Sequence, residues 1–318
     1  MQRVFTTVTL LGLLVATAAA FAITEHLKLI KSPVFGTEVS NRAGTPTKLF
    51  SPVCRCPNDR ARITIRLRHH DHVTVTIVDA ESQKVATIAS DESVGAHAPQ
   101  HFVWDGRTAD GTPAPDGVYH PWVNLSHARW TGRFTNNITL DTTRPQVLSA
   151  TGGKPDRVFF AGPGRTVAIN YSFSKKAHAL VYLGRRLIIL GRTTKPQGRV
   201  KWAGTAGGRS LPAGTYTLSI GAQDLAGNET PAAKRRTVKV DVRYVELTPE
   251  RVVVRGGSPF RIHVETAARR YTWRLGKRHG SRRGKLLRLR APTTPGTYRL
   301  VVTEDGQSAT AVVRVRAK

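Results

Sequence analysis

Acidic residues are scarce: 21 Asp and Glu stand against 49 Lys and Arg in 318 residues, a formal net charge of +28. That deficit excludes an electrically neutral surface and points to acidic partners: phosphate-rich polymer, anionic lipid or nucleic acid. Only two cysteines occur, which excludes a small scaffold stapled by disulfides. Aromatics make up 7% and are sparsely interleaved with the basic runs, which weighs against the stacking platforms of single-strand nucleic-acid binders. No H-E-x-x-H, G-x-S-x-G or dinucleotide glycine fingerprint is present. Gly280 to Lys285 is too short for a phosphate loop, and no Ser or Thr follows Lys285. Asp105, Asp110 and Asp116 lack the alternating ligands and closing Glu of a calcium loop and read as turn formers. Neither an enzymatic activity nor a cofactor is expected. Hydrophobic residues still reach 40%, enough for real cores, so global disorder is excluded.

Long apolar runs are missing everywhere except at the start. Val4 to Ile23 carries no charge, Arg3 precedes it, and small residues at A-x-A spacing follow its apolar centre. Residues 1–23 therefore read as a secretory signal peptide, cleaved after Ala20 or Ala22, or as a single-pass membrane anchor. Both place the remainder outside the cytoplasm, secreted or membrane-anchored in the cell envelope. Residues 24–57, with Pro33, Pro46, Pro52 and Pro57, read as a stalk or irregular lead-in.

Beyond this the hydrophobic period is two. Ile63, Ile65 and Leu67 alternate with polar residues, as do Val73, Val75 and Ile77, then Val167, Ile169, Tyr171 and Phe173, then Val238, Val240 and Val242, then Val313 and Val315. Pairs such as Asp105-Gly106, Asp110-Gly111 and Gly256-Gly257 supply turns between them. An internal repeat sets the domain count: Pro115-Asp116-Gly117-Val118-Tyr119 recurs as Pro212-Ala213-Gly214-Thr215-Tyr216 and, shortened, as Pro295-Gly296-Thr297-Tyr298. Trp104 and Trp202 stand at matching distance upstream, Trp273 more loosely. A Gly ending a turn and a Tyr opening a strand suit the corner of a β-sandwich. The expected architecture is all-β, three tandem immunoglobulin-like sandwiches at 58–144, 145–242 and 243–318 behind an N-terminal hydrophobic helix.

Val73-Thr74-Val75-Thr76-Ile77-Val78-Asp79, Lys84 to Ile88, Phe102-Val103-Trp104-Asp105-Gly106-Arg107, Asp110-Gly111 and Pro115 to Tyr119 carry a resemblance. Over residues 60 to 144 the chain resembles the Ig-like domain of the flagellar hook-capping (FlgD) family. Residues 145–242 look like a more diverged bacterial Ig-like repeat, ending in Asp224-Leu225-Ala226-Gly227-Asn228. The resemblance implies the fold and an extracytoplasmic bacterial setting. It does not imply hook capping, because a hydrophobic leader replaces that family's hook-assembly region.

Three clusters remain. Cys54 and Cys56 are close enough for a local disulfide if the chain bends, with free or intermolecular thiols and metal ligation as the other readings. In His69-His70-Asp71-His72, His70 and His72 could share one strand face and form a weak metal candidate; an exposed hairpin turn is the preferred reading. Gly276 to Lys285 reads as a basic loop in which Lys277, Arg278, Arg282, Arg283 and Lys285 join Arg288 and Arg290 as a polyanion site. The expected function is a non-enzymatic envelope protein that binds, or acts as a spacer towards, anionic cell-wall polymer or lipid headgroups. The alternatives are an accessory of a surface or flagellum-like assembly and an extracellular nucleic-acid binder.

Overall fold

A computed structural model describes residues 11–21, 32–152, 159–162 and 164–317. Residues 11–21 are helical; the rest of the segment expected as signal peptide or anchor lies outside the described residues. Among the described residues no helix is long and apolar enough to cross a membrane. The chain divides into two compact units, Met1–Thr142 and Thr143–Lys318.

In the first unit, β1 (Val34–Asn41), β2 (Leu49–Phe50), β3 (Ala61–Leu67), β4 (Asp71–Val78), β5 (Lys84–Val94), β6 (Gln100–Trp104), β7 (Gly117–Leu125), β8 (Trp130–Arg133) and β9 (Ile138–Leu140) follow in order. They form two sheets, β1-β3-β6 and β2-β9-β7-β4-β5, with β8 on the flank of β7. The alternation read from the sequence points inward: Ile63, Ile65 and Leu67 face Val73, Val75 and Ile77 across the core, all fully buried. The stretch expected as an irregular lead-in is different from that expectation. It supplies β1, whose Val39 pairs with Ile63, and β2, whose Phe50 packs on Trp104 at 5.3 Å between ring centroids. Its prolines lie outside β1 and β2, so β1 runs antiparallel along β3 from Val34 to Asn41 with one bulge between Val34 and Gly36.

In the second unit, β10 (Val147–Gly152), β11 (Phe159–Phe160), β12 (Val167–Leu183), β13 (Arg186–Leu190), β14 (Lys195–Trp202), β15 (Thr205–Ala206), β16 (Arg209–Ser210), β17 (Gly214–Gln223) and β18 (Arg236–Arg243) precede a second group. That group is β19 (Val245–Thr248), β20 (Arg251–Arg255), β21 (Pro259–Thr266), β22 (Arg270–Leu275), β23 (Arg278–Arg283), β24 (Leu286–Arg290), β25 (Gly296–Glu304) and β26 (Gln307–Arg316). The long strand β12 changes partners along its length, pairing with β10 and β14 through its first half and with β13 and β17 through its second. Among the described residues, strands β19–β26 pair only with one another, as β19-β21-β24 and β20-β26-β25-β22-β23. One apolar cluster nevertheless runs from Val147 to Val315 without interruption.

The P-x-G-x-Y repeat has one geometry three times. The hydroxyl of Tyr119 donates to the carbonyl of Pro115 at 2.6 Å, that of Tyr216 to Pro212 at 2.8 Å, and that of Tyr298 to Thr294 at 2.9 Å. Each ring lies over the core edge while its oxygen ties the new strand to the turn before it. Trp104 and Trp202 match as well: each indole N–H donates to the carbonyl three residues on, Arg107 or Thr205, at 2.8 Å. Trp273 is no counterpart of these. It sits on β22, against Gly280 of β23, where a Cβ would approach the indole to 3.0 Å.

Candidate polyanion-binding face

The residues expected in one basic loop are divided by the structure. Gly276 and Lys277 form one turn and Gly284 and Lys285 a bend; between them Arg278–Arg283 is strand β23, at the edge of the five-stranded sheet. Tyr271, Trp273 and Leu275 anchor β22 to the core and to β25, and the hairpin brings the basic stretch alongside as a further strand. Cross-strand partners share a face. Arg278 and Arg282, opposite Leu275 and Tyr271, therefore leave on the core-facing side of an edge strand, and Arg283, opposite Arg270, on the outer side.

Arg278 Nη1 donates to the carbonyl of Arg290 at 2.7 Å and bridges the two sheets. Lys285 Nζ lies 2.8 and 3.0 Å from the two Glu265 oxygens, and these hydrogen bonds hold the Glu265 carboxyl below its usual value. Arg288 and Arg290 stand on the outer face of the other sheet, where Arg288 is opposite Arg261. The expected site is thus dispersed over two sheets, with one of its cations neutralised and one spent on the backbone.

A different constellation replaces it. Following the register outward from β22, the exposed face of β20-β26-β25-β22-β23 presents Arg251, Arg255, Arg270, Arg274, Arg283, Arg299, Arg314 and Arg316. No Asp or Glu points out from these strands on that face, and among the described residues none of the eight has a carboxylate partner. The guanidinium stays charged at any ordinary pH, so the uncompensated charges add to one positive field. Tyr271, Trp273 and Tyr298 turn to the core side, so the face carries no Phe, Trp or Tyr among the described residues and one imidazole, that of His279 opposite Arg274. Sequence reading passed over most of these arginines because they are separated by up to 65 residues. Their signal was the polar half of the alternation, Arg251-x-Val-x-Arg255 and Arg314-x-Arg316, which reads as ordinary solvent exposure until the strands are put in register.

The other two candidates lie in the first unit. Cys54 and Cys56 form a disulfide with Cα atoms 5.3 Å apart. His70, at the β3–β4 connection, places Nε2 2.9 Å from Ser93 Oγ; His72, on β4, places Nδ1 3.2 Å from the carbonyl of Asp91. A third imidazole, His127, joins them with ring centroids 6.2 and 5.3 Å away. It comes from the turn after β7 and is too distant in sequence to be seen beside them. Among the described residues no three His, Cys, Asp or Glu side chains are arranged to hold a metal ion. The buried carboxylate of Asp71 organises this corner: Oδ1 accepts N–H groups of His72 at 2.7 Å and His127 at 2.9 Å, and Oδ2 that of Ala128 at 2.9 Å. Burial pushes its pKa up, but these backbone donors and the nearby His127 outweigh that and leave it below the usual aspartate value.

Paired, mainly antiparallel sheets, closed by tyrosine hydroxyls at the strand corners and joined by single parallel pairs at β2–β9, β11–β18 and β20–β26, define an immunoglobulin-like β-sandwich. Residues 58–127 match the FlgD Ig-like domain family. No curated protein matches the chain. Among solved structures it is similar to an I-band fragment of titin, at 12% identity over 91% of this chain and 100% of that one, with a TM-score of 0.31. It is also similar to a bacterial ice-binding adhesin, at 12% identity over 91% and 99% with a TM-score of 0.29. A third likeness is to the fibronectin(III)-like modules of CbhA from Clostridium thermocellum, at 21% identity over 54% and 94% with a TM-score of 0.20.

Proposed function

We propose that this protein is a non-enzymatic, extracytoplasmic envelope component, a tandem of three Ig-like sandwiches whose last module binds anionic polymer. The leading segment acts as its export signal or its anchor. One observation carries the reading: eight exposed arginines share one sheet face, none with a carboxylate partner among the described residues. A face held at high positive potential by a rigid sheet attracts polyanions and releases their counterions on contact. With a single imidazole, that of His279, and no Phe, Trp or Tyr among the described residues of that face, stacking platforms for single-stranded nucleic acid are few, and base stacking supplies much of such binding. Fractionation of native cells, with N-terminal sequencing of the protein, tests location; it should be found outside the cytoplasm. Binding of residues 32–318 to anionic cell-wall polymer, weakening steeply with salt, tests the activity. Binding unaffected by salt would dismiss it.

A second reading, an accessory of a surface or flagellum-like assembly, is supported by the family match at residues 58–127. Pull-down from envelope extract separates the two: capture of a protein partner that survives high salt favours the assembly.

A further inference from the structure

The eight arginines are not scattered evenly. Arg274 lies opposite Val301, two residues from Arg299 on the same face of β25. Arg299 lies opposite Val312, two residues from Arg314 on β26. Arg314 lies opposite Val253, two residues from Arg255 on β20. Each step moves one strand across and two residues along, about 8 Å, so the four arginines form a straight diagonal row about 25 Å long. The same register sets Val301, Val312 and Val253 in a parallel row directly beside it. Val253 is 49% exposed, and Val301 and Val312 are half-buried. Charge and short apolar side chains thus run as two adjacent stripes over four strands.

We propose that this pair of stripes is a track for one linear phosphodiester polymer with short carbon linkers, such as a polyol phosphate; this rests on the polyanion reading above and names its ligand. Guanidinium forks along one stripe take successive phosphates, and the valines beside them cover the carbon segments between. A lipid surface has no axis for a row to follow, and a nucleic-acid strand would find one ring beside the row, His279 opposite Arg274, and leave its other bases unstacked.

The test uses residues 32–318 and poly(glycerol phosphate) as the probe, with single-stranded DNA and phosphatidylglycerol vesicles as comparison ligands. Two variants each remove four charges from the same face: Arg274, Arg299, Arg314 and Arg255 all to Gln, or Arg251, Arg270, Arg283 and Arg316 all to Gln. Four phosphates engaged by the row give a slope of log affinity on log salt of about −3. The first variant should lose most of that slope and at least tenfold in affinity; the second should keep the slope and lose no more than about threefold. Equal losses in the two variants would overturn the track and leave only total charge. Tighter binding of DNA or vesicles than of the polymer would overturn it too. If the parent protein binds none of the three, the broader polyanion reading falls as well. Should a quadruple variant fail to fold, Arg299→Gln and Arg314→Gln singly keep the test open, each expected to reduce the slope by about 0.7.

Discussion

A carboxylate buried in a sandwich is stabilised or penalised by what it meets there, and two acids show the two outcomes. Asp71, 4% exposed, accepts three backbone N–H groups and titrates below its ordinary value. Its folded pKa is depressed, so the stability it contributes is present above the unfolded aspartate value and is lost as pH falls through the folded one. Asp71→Asn should cost about 1–3 kcal/mol at pH 7, with the deficit closing below about pH 4; denaturant unfolding at several pH values measures it. Glu304 is the opposite case. Burial raises its pKa, more than the Thr266 hydroxyl bonded to it lowers it, and among the described residues the buried Oε1 has no hydrogen-bond partner. Here the folded value is elevated, so stability is greatest below the unfolded glutamate pKa and is lost as pH rises through the folded one. Glu304→Gln should therefore raise Tm at pH 7 and make no difference near pH 4. At Cys54 and Cys56 the expectation is chemical: alkylation of the unreduced protein should label neither thiol, and mass spectrometry reads this directly.

At the scale of the strand, the tyrosine corner is the recurring device. Tyr119 is 4% exposed and its hydroxyl finds one acceptor, the Pro115 carbonyl. Tyr119→Phe should cost about 1 kcal/mol, and Tyr298→Phe less, since its corner is open to water that replaces the lost bond. Paired unfolding curves check the order. This corner was legible in the sequence because Pro, Gly and Tyr sit within five residues, and the strands were legible because β-branched residues alternate with polar ones. Three things were not. The pairing of β1 with β3 depends on Val34 and Val39 meeting a strand more than twenty residues on, and the prolines around them imitate a linker. The basic hairpin looked like a loop because β23 has Arg278, Gly280 and Arg282 where a strand usually has apolar residues; β22 supplies the burial for both. Lys285 and Arg278 looked available because sequence does not reveal that Glu265 and the Arg290 carbonyl lie within reach.

Across the whole chain, the charge is concentrated in one part. Residues 143–318 hold 35 of the 49 Lys and Arg but only 9 of the 21 Asp and Glu, whereas residues 32–142 carry 11 of each. A fragment of 143–318 should bind a cation exchanger at pH 7 and elute only at high salt, while 32–142 passes through; chromatography of the two fragments decides this. The arginine face has one more consequence, for how many copies can work side by side. Two such faces repel each other across a Debye length of about 8 Å at physiological ionic strength, so bare copies keep apart. A polyanion laid on the face cancels that repulsion locally. Occupancy of neighbouring positions therefore becomes easier as ligand accumulates, and crowding on the polymer is set by the polymer's own charge.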